Sequence, residues 1–148
     1  MSLEEYRTKR DFAKTKEPEG IDSAETGNRF VIQEHHARNL HWDFRLEIGG
    51  VLKSWALPKG IPMSEGKRNL AVQTEDHPLE YISFAGEIPE GEYGAGTVTI
   101  WDSGSYSIKD STPEKYEVVL EGKVVKGKYV LIRFKKAGDK EWLIFKTR

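Results

Sequence analysis

From Phe30 onward, apolar and polar residues alternate in short runs along the chain. Most runs have the length of a strand, are rich in Val, Ile, Tyr, Phe and Trp, and end at glycine, proline or charged turns. Gly49-Gly50 between two such runs is a good hairpin signal. No stretch after Phe30 sustains a helical period for three turns. The pattern therefore predicts an all-β domain of about eight strands, in an antiparallel barrel or sandwich.

The first 28 residues differ from the rest of the chain. Lys14 to Asn28 holds few apolar residues and contains the loop formers Pro18, Gly20 and Gly27. Composition alone favours a frayed tail over an arm that folds across a site. Since 148 residues suit one domain, we expect residues 1–28 to precede a single domain over 29–148.

Composition limits the chemistry that the chain can perform. Cysteine is absent, so disulfides, thiol nucleophiles and iron–sulfur clusters are excluded, and any metal must bind histidine nitrogen or carboxylate oxygen. The net charge of −1 lowers the expectation of nucleic-acid binding without excluding a local basic patch. No apolar run approaches the roughly 20 residues that span a membrane, and the N-terminus lacks the apolar region of a signal peptide. We expect a cytoplasmic, monomeric protein.

Three of the four histidines fall within the segment QEHHARNLHWDFR, from Gln33 to Arg45. If Leu40 to Glu47 is a strand, its side chains alternate between two faces. One face then carries His41, Asp43 and Arg45. The other carries the large apolar side chains Trp42, Phe44 and Leu46.

Two imidazoles and a carboxylate suit a divalent transition metal. His41 and Asp43 can come from one strand, and either His35 or His36 can supply a third ligand. This donor set favours Mn²⁺, with Zn²⁺, Co²⁺ or Fe²⁺ as alternatives. Arg45 is always cationic and is suited to hold a phosphate oxygen. A histidine and an aspartate on a strand can also simply face solvent, and the pattern alone fits a metal-dependent sugar isomerase or oxygenase.

Other segments carry weaker signals. His77 precedes Pro78, and with Tyr81 it can serve a phosphate site, although a solvated turn is the more common role of such a sequence. The glycines between Gly86 and Gly104 favour tight barrel turns over a phosphate-binding loop. Four basic residues either follow a phosphate backbone or belong to the solvated surface: Lys53, Lys59, Lys67 and Arg68.

Two long runs together resemble the 3′-phosphoesterase domain of bacterial ligase D and its stand-alone archaeal and bacterial versions. They read FVIQEHHARNLHWDFRLEIGGVLKSWALPKGIP and LAVQTEDHPLEYISFAGEIPEGEYGAGTVTIWDSGSY. The resemblance extends from about Tyr6 to Tyr106 and continues more weakly to Arg148. It implies an all-β, about eight-stranded antiparallel β-barrel with a central active-site cavity and an N-terminal arm folded over the site.

The resemblance also implies roles for individual residues. The metal ligands, usually for Mn²⁺, are His35, His41 and Asp43. The catalytic residues are Arg10, Asp11, Glu17, Arg45, His77 and Tyr81. The phosphate or substrate contacts are Arg10, Arg45, Lys59, Arg68 and His77.

The activity implied by the family is the repair of 3′ ends of DNA or RNA. A terminal ribonucleoside is removed to leave a 3′-phosphate, which is then removed to give a 3′-hydroxyl. The implied partners are primer–template 3′ ends and a separate DNA ligase or polymerase of an end-joining system. Two alternatives stay open: a catalytically weak, metal-containing module that binds nucleic-acid ends, and a cupin-like enzyme acting on small molecules.

Overall fold

The strands of the protein pair in antiparallel fashion. The structure is a computed structural model that describes residues 3–20, 27–134 and 139–148. Residues 1, 2 and 21–26 of the expected arm and the expected turn residue Gly138 lie outside these ranges. Within these ranges the helices are α1 (Glu4–Thr8) and a 3₁₀ helix (Leu79–Ser83). The strands are β1 (Arg29–His36), β2 (Leu40–Ile48), β3 (Val51–Leu57), β4 (Arg68–His77), β5 (Gly86–Ile88), β6 (Gly96–Thr112), β7 (Lys115–Gly122), β8 (Lys126–Arg133) and β9 (Glu141–Thr147).

The sheet closes into a barrel. Its order is β1-β2-β3-β4-β9-β8-β7-β6, with β6 pairing back onto β1, and the short β5 adds to β6 as an extra strand. The long β6 pairs with β1 through its first part and with β7 through its second part. At Gly104, where the two pairings meet, an added Cβ would lie 2.1 Å from the carbonyl oxygen of Glu121. The prediction of an all-β, eight-stranded antiparallel barrel is confirmed.

One apolar cluster fills the barrel. All eight barrel strands contribute to it, and its largest members include Phe30, Phe44, Trp55 and Trp142. Phe44 and Leu46 belong to it as the alternation along β2 predicts, and Trp42 packs against its edge. Apolar side chains fill the interior of the barrel, so the cavity does not lie at the barrel centre, where it was expected. It lies on the face of the sheet that points away from this core.

The opposite face of β1–β4 is covered by residues 3–20 and the 3₁₀ helix. Tyr6, Leu52 and Tyr81 form a second small core there, with Phe12 and Phe84 packed against it. Tyr6 is completely buried, and its hydroxyl donates to the carbonyl of Pro18. Residues 3–20 are therefore packed as an arm rather than as a frayed tail. Neither described helix has the length and apolar character needed to cross a membrane.

Candidate active site

A cavity of about 300 Å³ lies between the arm and the sheet. Its floor is the face of β1–β4 that points away from the barrel core, and its walls come from the arm, the 3₁₀ helix and the turn between β5 and β6. Eight of the residues named from the sequence line it: Arg10, Glu17, His35, His41, Asp43, Arg45, His77 and Tyr81. The strand register explains this grouping, because His35 pairs with His41 and their side chains share the same face.

His35, His41 and Asp43 form a cluster whose ligand atoms lie within 4.8 Å of one another. His35 Nδ1 is 3.4 Å from one oxygen of Asp43, and His41 Nε2 is 3.3 Å from the other. Asp43 is 7% exposed. A buried carboxylate flanked by two imidazoles is a donor set that suits a divalent metal ion. The cluster is the one expected from the sequence.

Backbone carbonyls fix the tautomers of both histidines. His35 Nε2 lies 2.7 Å from the carbonyl oxygen of Gly94, and His41 Nδ1 lies 3.0 Å from that of Asn39. A carbonyl can only accept, so each of these nitrogens carries the proton. The other nitrogens, Nδ1 of His35 and Nε2 of His41, then face Asp43 and are the ones placed to bind a metal ion. Such outer hydrogen bonds are typical of metal-binding histidines.

His36 lies outside this cluster. It is exposed, and its Nε2 is 2.9 Å from a carboxylate oxygen of Glu34. The alternation along β1 turns His36 and Glu34 to the face opposite His35. Of the two candidates for the third ligand, the geometry therefore favours His35.

Asp43 is held as a carboxylate. Burial acts to raise its pKa, but Arg45 and the hydrogen bonds from His35 and His41 together hold the pKa far below the usual range. The hydrogen bond between His41 and Asp43 raises the pKa of His41. The site therefore presents an ionised carboxylate over the whole neutral pH range.

Arg45 is buried on the floor of the cavity with part of its hydrogen-bonding capacity unused. Its Nε donates to Gln33 Oε1 at 2.7 Å, and its Nη2 lies 3.6 Å from Asp43. Gln33 is held in turn, because its amide donates to the carbonyls of Tyr81 and Phe84. Arg45 Nη1 is buried without a hydrogen-bond partner among the described residues. A buried N–H group of this kind is costly unless an acceptor binds there.

His77 lies between the two buried arginines. Its Nδ1 donates to the carbonyl of Glu75 at 2.8 Å, so the other nitrogen, Nε2, carries the lone pair and accepts from Arg10 Nη2 at 3.3 Å. Burial, with the positive charges of Arg45 and Arg10, lowers the pKa of His77 well below its usual value. His77 is therefore neutral at neutral pH, with an acceptor directed toward Arg10.

The arm is attached to the sheet by buried ion pairs. Arg10 donates through Nε to Glu17 at 3.0 Å and through Nη1 to Glu75 at 3.2 Å. Glu75 also binds Lys9 Nζ at 3.0 Å. Glu17 further accepts from the hydroxyl of Tyr81 at 2.6 Å. These contacts join two parts of the arm to β4 and to the 3₁₀ helix, and they place the Arg10 guanidinium in the cavity.

Tyr81 supports the site as a hydroxyl donor. Burial and the charge of Glu17 raise its pKa well above the usual value, against the opposing effect of Arg45. The Arg45 guanidinium lies 4.8 Å from the centre of the Tyr81 ring. The hydrogen bond to Glu17 and the contact with Arg45 fix the Tyr81 ring against the floor of the cavity.

Three residues named from the sequence do not line the cavity. Asp11 is exposed, and its carboxylate accepts from the backbone N–H of Ala13 in the turn that follows α1. Lys59 is exposed in the loop after β3, and Arg68 is exposed with its guanidinium 4.9 Å from the centre of the Phe145 ring.

Residues to which sequence analysis gave no role either line the cavity or hold its lining side chains in place. Gln33 and Glu75 each lie two positions before a site histidine, so strand alternation could have placed them on the same face. Gly94 belongs to the glycine-rich segment interpreted as barrel turns, and it acts through its carbonyl rather than through a phosphate-binding N–H group. No local pattern indicates that contact, because 59 positions separate Gly94 from His35.

Comparison with known proteins gives the same family that the sequence resembles. The family model described as the DNA Ligase D 3′-phosphoesterase domain matches residues 33–133. The multifunctional non-homologous end joining DNA repair protein LigD of Mycobacterium tuberculosis is 51% identical over 152 residues, which cover 99% of this chain and 20% of that protein. The LigD protein of Mycolicibacterium smegmatis is 48% identical over 159 residues.

A more distant relative shows the same relationship. The LigD protein of Pseudomonas aeruginosa is 43% identical over 155 residues, covering 99% of this chain and 18% of that protein. The chain thus spans about a fifth of the length of these relatives. The cluster of His35, His41 and Asp43 lies within the segment matched by the family model, as do Arg45 and His77. This chain belongs to the DNA ligase D 3′-phosphoesterase domain family.

Proposed function

We propose that the chain is a metal-dependent phosphoesterase that heals 3′ ends of nucleic acid. It removes a 3′-terminal ribonucleoside and then the remaining 3′-phosphate, leaving a 3′-hydroxyl. The observation that carries this proposal is Nη1 of Arg45, which has no partner within residues 3–20, 27–134 and 139–148 and is buried on the cavity floor beside the cluster of His35, His41 and Asp43. A phosphate group bound here would meet a metal ion on one side and a buried cationic hydrogen-bond donor on the other.

The cluster fits a divalent cation. Two imidazoles, each with one nitrogen directed at the cluster, and one carboxylate give a mixed nitrogen and oxygen set, which suits Mn²⁺ and also accepts Co²⁺ or Zn²⁺. Three protein ligands leave coordination positions for water and substrate. When bound, such a cation supplies charge neutralisation on phosphate oxygens and acidifies coordinated water.

The two buried arginines bind and orient the phosphate group. Arg45 Nη1 donates to one non-bridging oxygen, and Arg10, from the arm, contacts the phosphate from the other side of His77. Charge that develops on these oxygens in the transition state is then matched by fixed, buried guanidinium groups. Gln33 and Glu17 position the two arginines, because each accepts from the Nε of one of them.

His77 distinguishes the two reactions by holding a proton at Nε2. Near neutral pH a phosphate monoester carries more negative charge than a diester, because its second ionisation has a pKa of about 6. The lone pair at Nε2 of neutral His77 can take up a proton when this more strongly charged group binds, and Nε2 then donates to a phosphate oxygen. We therefore assign His77 chiefly to phosphate removal and less to ribonucleoside removal.

Residues outside the cavity have supporting roles in this proposal. Lys59 and Arg68 are exposed cations that contact the backbone of the nucleic acid beyond the reacting phosphate. Asp11 shapes the turn that leads to Thr15, whose hydroxyl donates to Glu17 at 3.0 Å. The relatives carry the name of end-joining proteins, and we extend that role to this chain: it acts in the cytoplasm on primer–template ends together with a ligase and a polymerase.

The proposal is tested with two labelled primer–templates, one ending in a 3′-phosphate and the other in a single ribonucleotide. With Mn²⁺ the wild-type chain converts both to a 3′-hydroxyl, and a chelator abolishes conversion. His41→Ala abolishes it as well, whereas the matched variant His36→Ala, which removes a neighbouring exposed histidine, retains it. His77→Ala accumulates the 3′-phosphate. Unchanged ends with Mn²⁺, Co²⁺ and Zn²⁺ would refute the enzyme, and tight end binding without conversion would favour the end-binding module.

A further inference from the structure

Tyr93 is an exposed aromatic residue at the rim of the cavity. Its side chain is 47% exposed, whereas Asp43, Arg45 and His77 on the floor are each at most 7% exposed. A large exposed aromatic side chain beside a buried polar site is a common mark of ligand contact.

The ring is held in a defined position. Tyr93 and Gly94 are the two central residues of a turn closed by the hydrogen bond from Ala95 N–H to the Glu92 carbonyl at 3.1 Å. Gly94 has a φ of +76°, as the second central residue of a type II turn requires. The Gly94 carbonyl is tied to His35, so the turn is fixed relative to the metal cluster.

Two cations of the arm contact the same ring. Lys9 Nζ lies 4.9 Å from the centre of the Tyr93 ring, and the Arg10 guanidinium lies 5.3 Å from it. The rim therefore combines an aromatic surface with positive charge, which is the combination that binds single-stranded nucleic acid without sequence preference.

We propose that Tyr93 is the stacking platform for the base of the nucleotide that carries the reacting 3′-phosphate. This assignment rests on the proposed function and specifies how its substrate is held. The phosphate binds on the floor, so the strand that continues from it must pass through the opening where Tyr93 lies. The retained nucleotide is present in both reactions, whereas the released ribonucleoside is present only in the first. Tyr93 therefore contributes to both reactions and reads the presence of a base rather than its identity.

A double-mutant cycle between protein and substrate tests the assignment. Tyr93→Ala is compared with wild type on a 3′-phosphate end whose terminal nucleotide is normal or abasic. Loss of the base raises KM about tenfold for wild type and less than twofold for Tyr93→Ala, because the base has then already lost its partner. Tyr93→Phe behaves as wild type. Phe134→Ala removes an aromatic side chain that is 43% exposed and does not line the cavity, and it also behaves as wild type.

An equal effect of base removal in wild type and Tyr93→Ala would overturn the proposal, as would a defect of Tyr93→Ala confined to ribonucleoside removal. A binding measurement separates this outcome from failure of the proposed function. 2-Aminopurine placed at the nucleotide with the 3′-phosphate is quenched by wild type in the presence of chelator and is quenched less by Tyr93→Ala. If no end is converted by wild type but this difference persists, the enzyme proposal fails and the stacking site stands. If the quenching is the same for both proteins, the stacking site is refuted.

Discussion

Nε2 of His35 donates a hydrogen bond of 2.7 Å to the carbonyl of Gly94, 59 positions further along the chain. This contact presents Nδ1 of His35 to Asp43 and ties the turn between β5 and β6 to the cluster of His35, His41 and Asp43. The orientation of one proposed metal ligand therefore depends on the backbone conformation of a distant glycine.

Gly94→Ala is expected to weaken metal binding. Gly94 has a φ of +76°, which an L side chain rarely adopts, and an added Cβ would lie 3.5 Å from Cε1 of His35. A shift of the carbonyl removes the hydrogen bond that orients the ligand, and loss of such outer contacts typically costs about 10–100-fold in metal affinity. Calorimetric titration with Mn²⁺ measures the effect.

Gly91→Ala is the matched control for this change. Gly91 lies in the same segment with a φ of +91°, and an added Cβ there meets nothing within 4 Å. It carries a similar backbone strain without touching a ligand, so its Mn²⁺ affinity should equal that of wild type. Equal losses of affinity in the two variants would contradict the role given to the Gly94 carbonyl.

Arg45→Ala is expected to separate catalysis from metal binding. Arg45 supplies the unpaired Nη1 donor, whereas the metal cluster consists of other side chains. Loss of one buried donor to a developing oxyanion costs about 10²–10³ in kcat. Mn²⁺ affinity should not fall, because a cation 3.6 Å from Asp43 is removed. Single-turnover rates and metal titration distinguish the two quantities.

The control for Arg45 is Arg148→Ala, which removes an exposed arginine at the end of the chain. It should retain the wild-type rate and metal affinity. A parallel fall of rate and Mn²⁺ affinity in Arg45→Ala would show that Arg45 organises the cluster rather than binding phosphate.

The alternation of apolar and polar residues along each strand predicted much of this site, but it could not predict which face of a strand borders a cavity. The face shared by His41, Asp43 and Arg45 follows directly from the period of β2, and the apolar set on the other face was correctly assigned to the core. Alternation separates two faces but does not say which one encloses a cavity. Both faces of β2 are covered here, one by the barrel core and the other by the arm.

Contacts between distant segments could not be read from composition. The polar sequence from Lys14 to Glu19 resembles a loose tail because its apolar content is low. Glu17 is nevertheless buried, since Arg10, Thr15 and Tyr81 all donate to it. Ion pairs across 65 positions, such as that of Arg10 with Glu75, depend on the whole fold. Only the resemblance to a known family pointed to the arm.

Stability is expected to depend on pH through His77. Burial and the charges of Arg45 and Arg10 lower the pKa of His77 in the folded state, while Glu75 contributes an opposing carbonyl hydrogen bond. Below the unfolded pKa of about 6.5, the unfolded chain binds a proton that the folded chain does not. The contribution of His77 is thus fully present above pH 6.5 and is lost as the pH falls toward the folded pKa.

The measurement is urea unfolding at pH 7.5, 6.5 and 5.5 in the presence of chelator. Between pH 6.5 and 5.5 the free energy of unfolding of wild type should fall more steeply than that of His77→Gln. The difference in slope has an upper limit of about 1.4 kcal/mol per pH unit, the value for one proton. Parallel pH profiles of the two proteins would contradict a depressed pKa at His77.

Glu17→Ala is expected to release the arm. Glu17 accepts from Arg10 Nε and from the Tyr81 hydroxyl, and both donor side chains are buried. Loss of one partner of a buried ion pair typically costs about 3–5 kcal/mol, because the remaining charge is left poorly compensated. The chain relieves that cost by exposing Arg10 to water, which detaches residues 3–20 from the sheet. Trypsin should then cleave after the exposed Lys14 and Lys16 faster than in wild type.

Glu19→Ala provides the comparison for the arm, since Glu19 is exposed two positions away. Its cleavage rate should match that of wild type. Because Arg10 is lost from the cavity when the arm detaches, Glu17→Ala should also lose phosphate removal, while Mn²⁺ still binds to His35, His41 and Asp43. A variant that is cleaved faster and yet retains full activity would show that the arm is dispensable for catalysis. An unchanged cleavage rate would show that the other arm contacts, including that of Glu75 with Lys9, are enough to hold it.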